Sequence, residues 1–177
     1  MTWFIGIDEA GYGPNLGPFV MTAVTCRVPA PLAGNDLWSI LRRVVRRQGE
    51  TKRVESRILI ADSKVVYSPK RGLRALESGV LSTVLHIDGE PPPTLDCLLD
   101  RFAGEARTEL LGEPWYSGDT PLPFSSTPGA VRTFAERFQA LCRSQEIDWG
   151  PVRVCMVCPA RFNQLVAQRD SKGEVSG

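Results

Sequence analysis

Two adjacent carboxylates, Asp8 and Glu9, follow the apolar run of residues 3–7 near the start of the chain. A buried strand that ends in two acidic side chains puts negative charge where an apolar sheet tolerates it only with a partner, such as a metal ion or hydrogen-bond donors. Because neighbouring side chains of a strand point to opposite faces, both carboxylates serve one site only if the backbone turns there. The alternative interpretation is the start of a solvated loop.

A glycine-rich bend, Gly11-Tyr12-Gly13-Pro14, comes directly after this pair. Glycine permits a positive φ and a close approach of the backbone to another molecule, both of which a Cβ hinders. The pattern predicts a tight acidic corner beside an exposed backbone. Such a corner suits a hard divalent cation next to a phosphodiester, because Mg²⁺ takes oxygen ligands and keeps water or substrate phosphate in its shell.

A second polar sequence, Asp62-Ser63-Lys64, follows the short apolar run of residues 57–61. Ser68 and Pro69 then suit the N-cap and the first position of a helix, so we expect a helix over 68–81 and a loop at residues 62–64. A serine hydroxyl and a lysine charge together suit a phosphate. The same residues also occur in generic polar turns.

The segment GIDEAGYGPNLGPFVMTAV, residues 6–24, resembles the opening of the ribonuclease HII and HIII family, in which a strand runs into D-E-A-G-R-G-P. The family's second motif, D-S-K followed by S/T-P-K-x-R, is similar to residues 62–71. Close matching covers residues 3–27 and 58–87, with a weaker echo at 152–166. Tyr12 stands where the family has arginine, and a phenol offers one donor and no charge.

The resemblance implies a metal-dependent endoribonuclease that hydrolyses RNA in RNA–DNA hybrids with Mg²⁺ or Mn²⁺. On this view Asp8 and Glu9 are catalytic and bind the metal, while Gly11-Tyr12-Gly13 lies against the sugar-phosphate strand of the substrate. Ser63 and Lys64 hold a phosphate. The hybrid is the expected partner, and the sequence indicates no protein partner.

The family cuts with four carboxylates, and its third and fourth aspartates lie on a later strand and a later helix. Matched in order, the chain ends before either, and neither Asp148 nor Asp170 can be carried over. The sequence therefore resembles only the N-terminal part of the family. The alternative function is a non-catalytic hybrid-binding module or truncated remnant. A nucleotide-binding loop at Gly11-x-Gly13 is weaker, because no Walker lysine follows the glycines.

These residues need an α/β fold to position them, and the resemblance implies an incomplete ribonuclease H-like mixed sheet with flanking helices. We expect one domain over residues 1–177, with a family-atypical helical insertion at about 90–150. Apolar runs and helical periodicity predict the individual elements. The strands are expected at 3–7, 19–24, 57–61, 84–87 and 152–158, and the helices at 37–47, 68–81, 95–111 and 128–144.

Several further residues admit a functional and a structural interpretation. Arg42, Arg43, Arg46 and Arg47 would share one face of the 37–47 helix, where they could touch phosphates, but we favour an ordinary solvated face. Trp115 and Tyr116 could stack on bases, but we favour packing onto the core. His86, the single histidine, is interpreted as a packed residue, and the Cys155–Cys158 spacing as incidental because no second ligand pair follows.

Composition limits the class of protein. Lys+Arg of 21 against Asp+Glu of 20 gives a net charge of +1, so any nucleic-acid surface must be local. Five irregularly spaced cysteines favour a reducing compartment over a disulfide framework. Apolar runs stay shorter than the roughly 18 residues of a membrane span. We therefore expect a cytoplasmic protein that is not embedded in a membrane.

Overall fold

The structure is a computed structural model that describes residues 1–11, 17–50, 57–113, 116 and 119–169. Short 3-10 turns lie at Ala30–Leu32 and Gly104–Ala106. The strands are β1 Thr2–Ala10, β2 Phe19–Val28, β3 Val45–Arg46, β4 Ile58–Leu59 and β5 Asp148–Val157. The α-helices are α1 Leu37–Leu41, α2 Ser63–Val66, α3 Arg74–Asp88, α4 Leu95–Ala103, α5 Arg107–Leu111, α6 Pro128–Ser144 and α7 Pro159–Arg169.

The described strands form two sheets. An antiparallel sheet has the order β1-β2-β5, and a short parallel sheet pairs β3 with β4. In the parallel pair Val45 lies opposite Ile58 and Arg46 opposite Leu59. Strands and helices thus make a mixed α/β architecture, which confirms the predicted class and is compatible with part of a ribonuclease H-like fold.

The chain divides into two compact units, and the first contains Met1–Phe4, Cys26–Leu95 and Thr120–Gly150. In this unit α3 packs on α6, and the Ser82 hydroxyl donates to the Val131 carbonyl oxygen across 3.2 Å. Burial of the apolar side chains stabilises the unit, at about 25 cal/mol per Å². Its core cluster is Cys26, Val28, Leu41, Val44, Val45, Phe138, Cys142 and Ile147.

The second unit contains the described residues of Ile5–Thr25, Asp96–Asp119 and Pro151–Gly177. Its buried cluster is Ala106, Leu110 and Cys158. Tyr116 packs against this cluster, as expected, whereas Trp115 lies outside the described residues. The rings of Phe19 and Phe162 lie 5.7 Å apart, which links β2 to α7 within the unit.

The prediction of a helix over 37–47 is correct only for Leu37–Leu41. Asp36 caps α1 by accepting from the Trp38 amide at 3.1 Å, but the helix ends at Leu41. Val45 and Arg46 instead enter β3, because β-branched Val45 is buried in the core and the strand has a partner in β4. The four arginines therefore share no helix face, and Arg47 pairs with Asp36.

The predictions for residues 68–87 also need correction. The Ser68 hydroxyl accepts from the Arg71 amide at 3.3 Å in a turn, and α3 begins only at Arg74. The strand predicted at 84–87 is wrong, because α3 continues to Asp88 with Val84 on its buried face. The helix ends at Gly89, whose φ of 81° is the left-handed conformation that glycine adopts at helix ends.

Other elements agree with the sequence. Helix α6 occupies the predicted residues, with Thr127 as its N-cap, and β5 extends the predicted strand to Asp148. The 95–111 helix is present with a 3-10 turn between α4 and α5. The single domain and the insertion at about 90–150 stay predictions.

Candidate active site and nucleic-acid interface

The acidic pair lies within β1, which continues through Asp8 and Glu9 to Ala10. The prediction of a backbone turn at Asp8 and Glu9 is therefore wrong. The turn comes later in the chain, because β1 remains extended in its sheet with β2. Both side chains are exposed. The Asp8 Oδ1 accepts from the Glu9 amide at 3.0 Å, so one carboxylate oxygen is held against the strand.

Strand alternation assigns the two carboxylates to different faces. Asp8 falls on the same face of β1 as Phe4, and Glu9 falls on the face of Ile5 and Ile7. These two isoleucines are 66% and 64% exposed, so Glu9 stands among exposed apolar side chains. Asp8 and Glu9 therefore face different surroundings within β1.

Gly11 supplies the turn after β1. Its φ is +78°, and a Cβ at this position would clash with the Pro18 carbonyl oxygen and lie 3.3 Å from the Pro18 carbonyl carbon. The glycine is thus required by the fold of its own loop. Tyr12 and Gly13, the other residues expected against the substrate, lie outside the described residues.

Asp62, Ser63 and Lys64 do not form the expected loop. The Asp62 side chain caps α2 by accepting from the Lys64 amide at 2.8 Å, and Ser63 and Lys64 are the first two residues of that helix. Both are exposed, while Val66 of the same helix is buried. This geometry leaves the Ser63 hydroxyl and the Lys64 ammonium accessible to a ligand. These residues belong to the first unit, and Asp8, Glu9 and Gly11 belong to the second.

The donor set of the described residues does not make a two-metal centre. Two-metal phosphodiester hydrolysis needs a shared cluster of oxygen ligands around ions roughly 3.5–4 Å apart. Within the described ranges no three His, Cys, Asp or Glu side chains are grouped so that they could hold a metal ion. Asp8 and Glu9 lie on opposite faces of β1, so each face carries one of the two carboxylates.

The structure also gathers basic residues that the sequence did not bring together. A cleft of about 510 Å³, here called the arginine cleft, is lined by Arg46, Arg57, Arg71 and Arg74 with Phe134. All five residues belong to the first unit. The basic residues of 42–47 and 70–74 are visible in the sequence, but their grouping depends on the pairing of β3 with β4.

His86 packs in the first unit, as predicted. Its ring lies edge-on to Phe138, with the centroids 4.9 Å apart, and its buried Nδ1 has no hydrogen-bond partner among the described residues. Burial lowers the pKa of His86, and the nearby Arg143 charge lowers it further. The side chain is therefore held neutral by its surroundings.

Cys155 and Cys158 occupy different environments in the second unit. Cys155 is exposed on β5, whereas Cys158 follows the strand and is buried. Burial raises the pKa of the Cys158 thiol, and the carboxylates of Glu109 and Glu113 raise it further. Cys158 is accordingly a packed thiol of the unit's core.

Comparison with known proteins finds similarity to a ribonuclease HII. The chain is 28% identical to ribonuclease HII of Thermofilum pendens (strain DSM 2475 / Hrk 5) over 155 residues, which cover 79% of this chain and 60% of that protein. This similarity extends beyond the two motifs on which the resemblance was based, although the chain spans only about 60% of the relative's length. No protein-family model matches the chain, and no solved structure matches it.

Among the described helices, none combines the length and the apolar character that a membrane span requires.

Proposed function

We propose that this chain is part of a ribonuclease HII-like endonuclease that hydrolyses RNA within RNA–DNA hybrids. The observation that carries the proposal is the similarity to ribonuclease HII over 79% of the chain. The exposed Asp8 near the end of β1 and the accessible Ser63 and Lys64 support it, because they supply an acid for catalysis and donors for phosphate.

In this proposal the chain's own residues have separate roles. Asp8 and Glu9 provide carboxylates at the reacting phosphodiester, and Ser63 and Lys64 hold a backbone phosphate. The segment Gly11-Tyr12-Gly13 lies against the hybrid, where 2′-hydroxyls distinguish RNA from DNA. With tyrosine in place of arginine, that contact has one donor and no fixed charge, so it is weaker than in the ribonuclease HII pattern.

The proposed cofactor is Mg²⁺ or Mn²⁺, which would supply positive charge at the scissile phosphate. Asp8 and Glu9 do not suffice to hold it, so the proposal requires further carboxylates outside the described residues. The proposed location of the protein is the cytoplasm.

The incomplete donor set favours a second candidate, a non-catalytic module that binds RNA–DNA hybrids. In that case the phosphate donors function without cleavage, and Asp8 and Glu9 are surface residues of β1. The two candidates differ in one property, since both bind the hybrid and only the first breaks it.

Cleavage of a hybrid labelled on its RNA strand tests the proposal. The full-length protein that contains this chain is incubated with Mn²⁺ or Mg²⁺, with DNA and RNA duplexes of the same sequence as competitors for specificity. The variants are Asp8→Asn and Glu9→Gln, and Glu136→Gln on the exposed side of α6 is the matched control. The nuclease proposal is supported if the wild type and Glu136→Gln cleave the hybrid and Asp8→Asn does not.

The other outcomes separate the candidates. Hybrid binding without cleavage under either divalent ion supports the binding module. Absence of both binding and cleavage contradicts both.

A further inference from the structure

The arginine cleft adjoins a second cleft in the first unit. The second cleft has a volume of about 530 Å³ and is lined by Lys64 together with Glu50 and Gln48. Arg46 and Arg71 line both clefts, as do Leu59 and Ala75. The two spaces therefore share a wall and form one extended concave surface, here called the basic surface.

The charge of this surface is strongly unbalanced. Its described lining carries five cations, Arg46, Arg57, Lys64, Arg71 and Arg74, and one acid, Glu50. Glu50 is already paired with Arg57, whose Nη1 lies 2.6 Å from the Glu50 Oε2. The whole chain has a net charge of only +1, so positive charge is concentrated here. A cleft lined by one sign of charge focuses the field and attracts the opposite charge.

Most donors of these side chains have no partner within the part of the chain that the structure describes. Arg46, Lys64 and Arg74 form no ion pair among the described residues, and Arg71 uses only its Nε, which donates to the Ser68 hydroxyl at 3.1 Å. Some arginines outside this surface are paired with acids, as Arg27 is with Asp148 and Arg161 with Glu109. Guanidinium groups left open in a concave surface suit phosphate, which they bind through two parallel N–H bonds.

The walls indicate what kind of phosphate ligand fits. Phe134, Ile58 and Ala130 give the arginine cleft an apolar side, which can contact sugar or base. Each cleft lies in the range of about 300–1,000 Å³ that small ligands occupy. A single phosphate would leave most of this space unused. Two adjoining clefts with shared cations fit consecutive phosphates along one strand better than an isolated anion.

We propose that the basic surface binds consecutive phosphates of a nucleic-acid backbone, without reading its sequence. This inference rests on the proposed function only in its choice of nucleic acid as the source of the phosphates. It adds a contact surface formed by β3, β4 and α3, which the two sequence motifs did not indicate apart from Lys64 and Arg71.

Binding without cleavage tests the proposal. Fluorescence anisotropy measures the affinity of the chain for a labelled RNA–DNA hybrid, and for single-stranded DNA, in EDTA at salt concentrations between about 50 and 200 mM. The test variant is Arg46→Gln with Arg74→Gln. Its control is Arg132→Gln with Arg169→Gln, which removes the same charge from exposed helix positions outside both clefts.

The test variant should bind both nucleic acids about tenfold or more weakly, with a salt dependence shallower by about two phosphate contacts. The control pair should remain within about twofold. A second variant, Arg46→Lys with Arg74→Lys, keeps the charges and should recover most of the affinity. Far-UV circular dichroism and thermal unfolding establish that each variant is folded. Equal affinity and equal salt dependence for the test variant and the control would overturn the proposal.

Adenosine monophosphate and inorganic phosphate serve as competitors for the source of the ligand. If either displaces the hybrid at micromolar concentration, the surface is a small-molecule site and the nucleic-acid assignment is overturned.

The inference and the proposed function fail in different experiments. Binding that depends on Arg46 and Arg74, with no cleavage by the full-length protein in Mn²⁺ or Mg²⁺, keeps the inference and rejects the nuclease. Cleavage that depends on Asp8, with unchanged binding by the arginine variants, does the reverse.

Discussion

Gly11, which the sequence analysis assigned to substrate contact, is required by the backbone conformation of the fold itself. The backbone at this position has a φ of +78°, and the Pro18 carbonyl occupies the space that a Cβ would need. A residue with a Cβ would be destabilising here for two reasons, the positive φ and the close contact with Pro18. Conformational strain alone thus accounts for glycine here, independently of any substrate.

Replacing Gly11 by alanine should therefore lower the free energy of unfolding by about 1–3 kcal/mol. Urea titration followed by tryptophan fluorescence measures this change. Gly17→Ala in the same loop is the control, because its φ is ordinary and nothing lies within 4 Å of the added Cβ. Equal stability of the two variants would contradict this account of Gly11.

His86 should make stability depend on pH. Its folded pKa lies below the ordinary value of 6.5, because burial and Arg143 disfavour the charged ring. On acidification the unfolded chain binds a proton at His86 that the folded chain does not bind. The free energy of unfolding therefore decreases as the pH falls below about 6.5. Stability measured between pH 7.5 and 5.5 should decline more steeply in the wild type than in His86→Gln. Parallel declines would show that His86 is not the cause.

At the scale of elements, Glu77 fixes the segment that leads into α6. Its carboxylate accepts from the backbone amides of Phe124, of Ser125 at 2.7 Å and of Ser126 at 2.5 Å. Three donors on one charged group make strong hydrogen bonds and orient the chain just before the Thr127 cap. This contact ties α3 to the start of α6 within the first unit.

Glu77→Gln should lower the free energy of unfolding by about 1.5–3 kcal/mol, since hydrogen bonds to a charged group are lost or weakened. It should also speed hydrogen exchange at the amides of residues 124–126. The control, Glu136→Gln on α6, should stay within about 0.5 kcal/mol of the wild type. Unchanged amide exchange in Glu77→Gln would contradict the proposed role of the carboxylate.

The elements that the sequence predicted well are those whose signals are local. Helix α6 has a Thr127-Pro128 start and a stripe that includes Val131 and Phe138, so its bounds could be read directly. The 37–47 helix failed because the pairing of Val45 with Ile58, a contact between distant residues, decides the backbone at β3. An apolar run within α3 was mistaken for a strand because short runs do not distinguish the two.

The arrangement of the candidate site also depends on contacts between distant residues, which the sequence does not reveal. The identities of Asp8 and Glu9 were visible in the sequence, but their placement on opposite faces follows from sheet pairing that keeps β1 extended to Ala10. The basic surface depends on the parallel pair β3–β4, which composition and periodicity do not reveal.

At the scale of the whole molecule, a nearly neutral chain carries a strongly uneven charge distribution. The five cations of the basic surface face one acid, so other parts of the chain must compensate. Such a distribution allows local attraction of phosphates while the overall charge stays near zero. The uneven charge favours a phosphate ligand, and the choice of nucleic acid as its source rests on the proposed function.

The role of Asp8 is tested by the single-turnover rate of hybrid cleavage in Mn²⁺, measured for the full-length protein that contains this chain and for its Asp8→Asn variant. The exposed side chain of Asp8 makes one local hydrogen bond, so the variant should fold normally, as its unfolding temperature would verify. We predict specific cleavage of the RNA strand by the wild type, with a rate about 100-fold or more lower in Asp8→Asn. Cleavage at the wild-type rate by the variant, or no cleavage by either protein, would contradict the account.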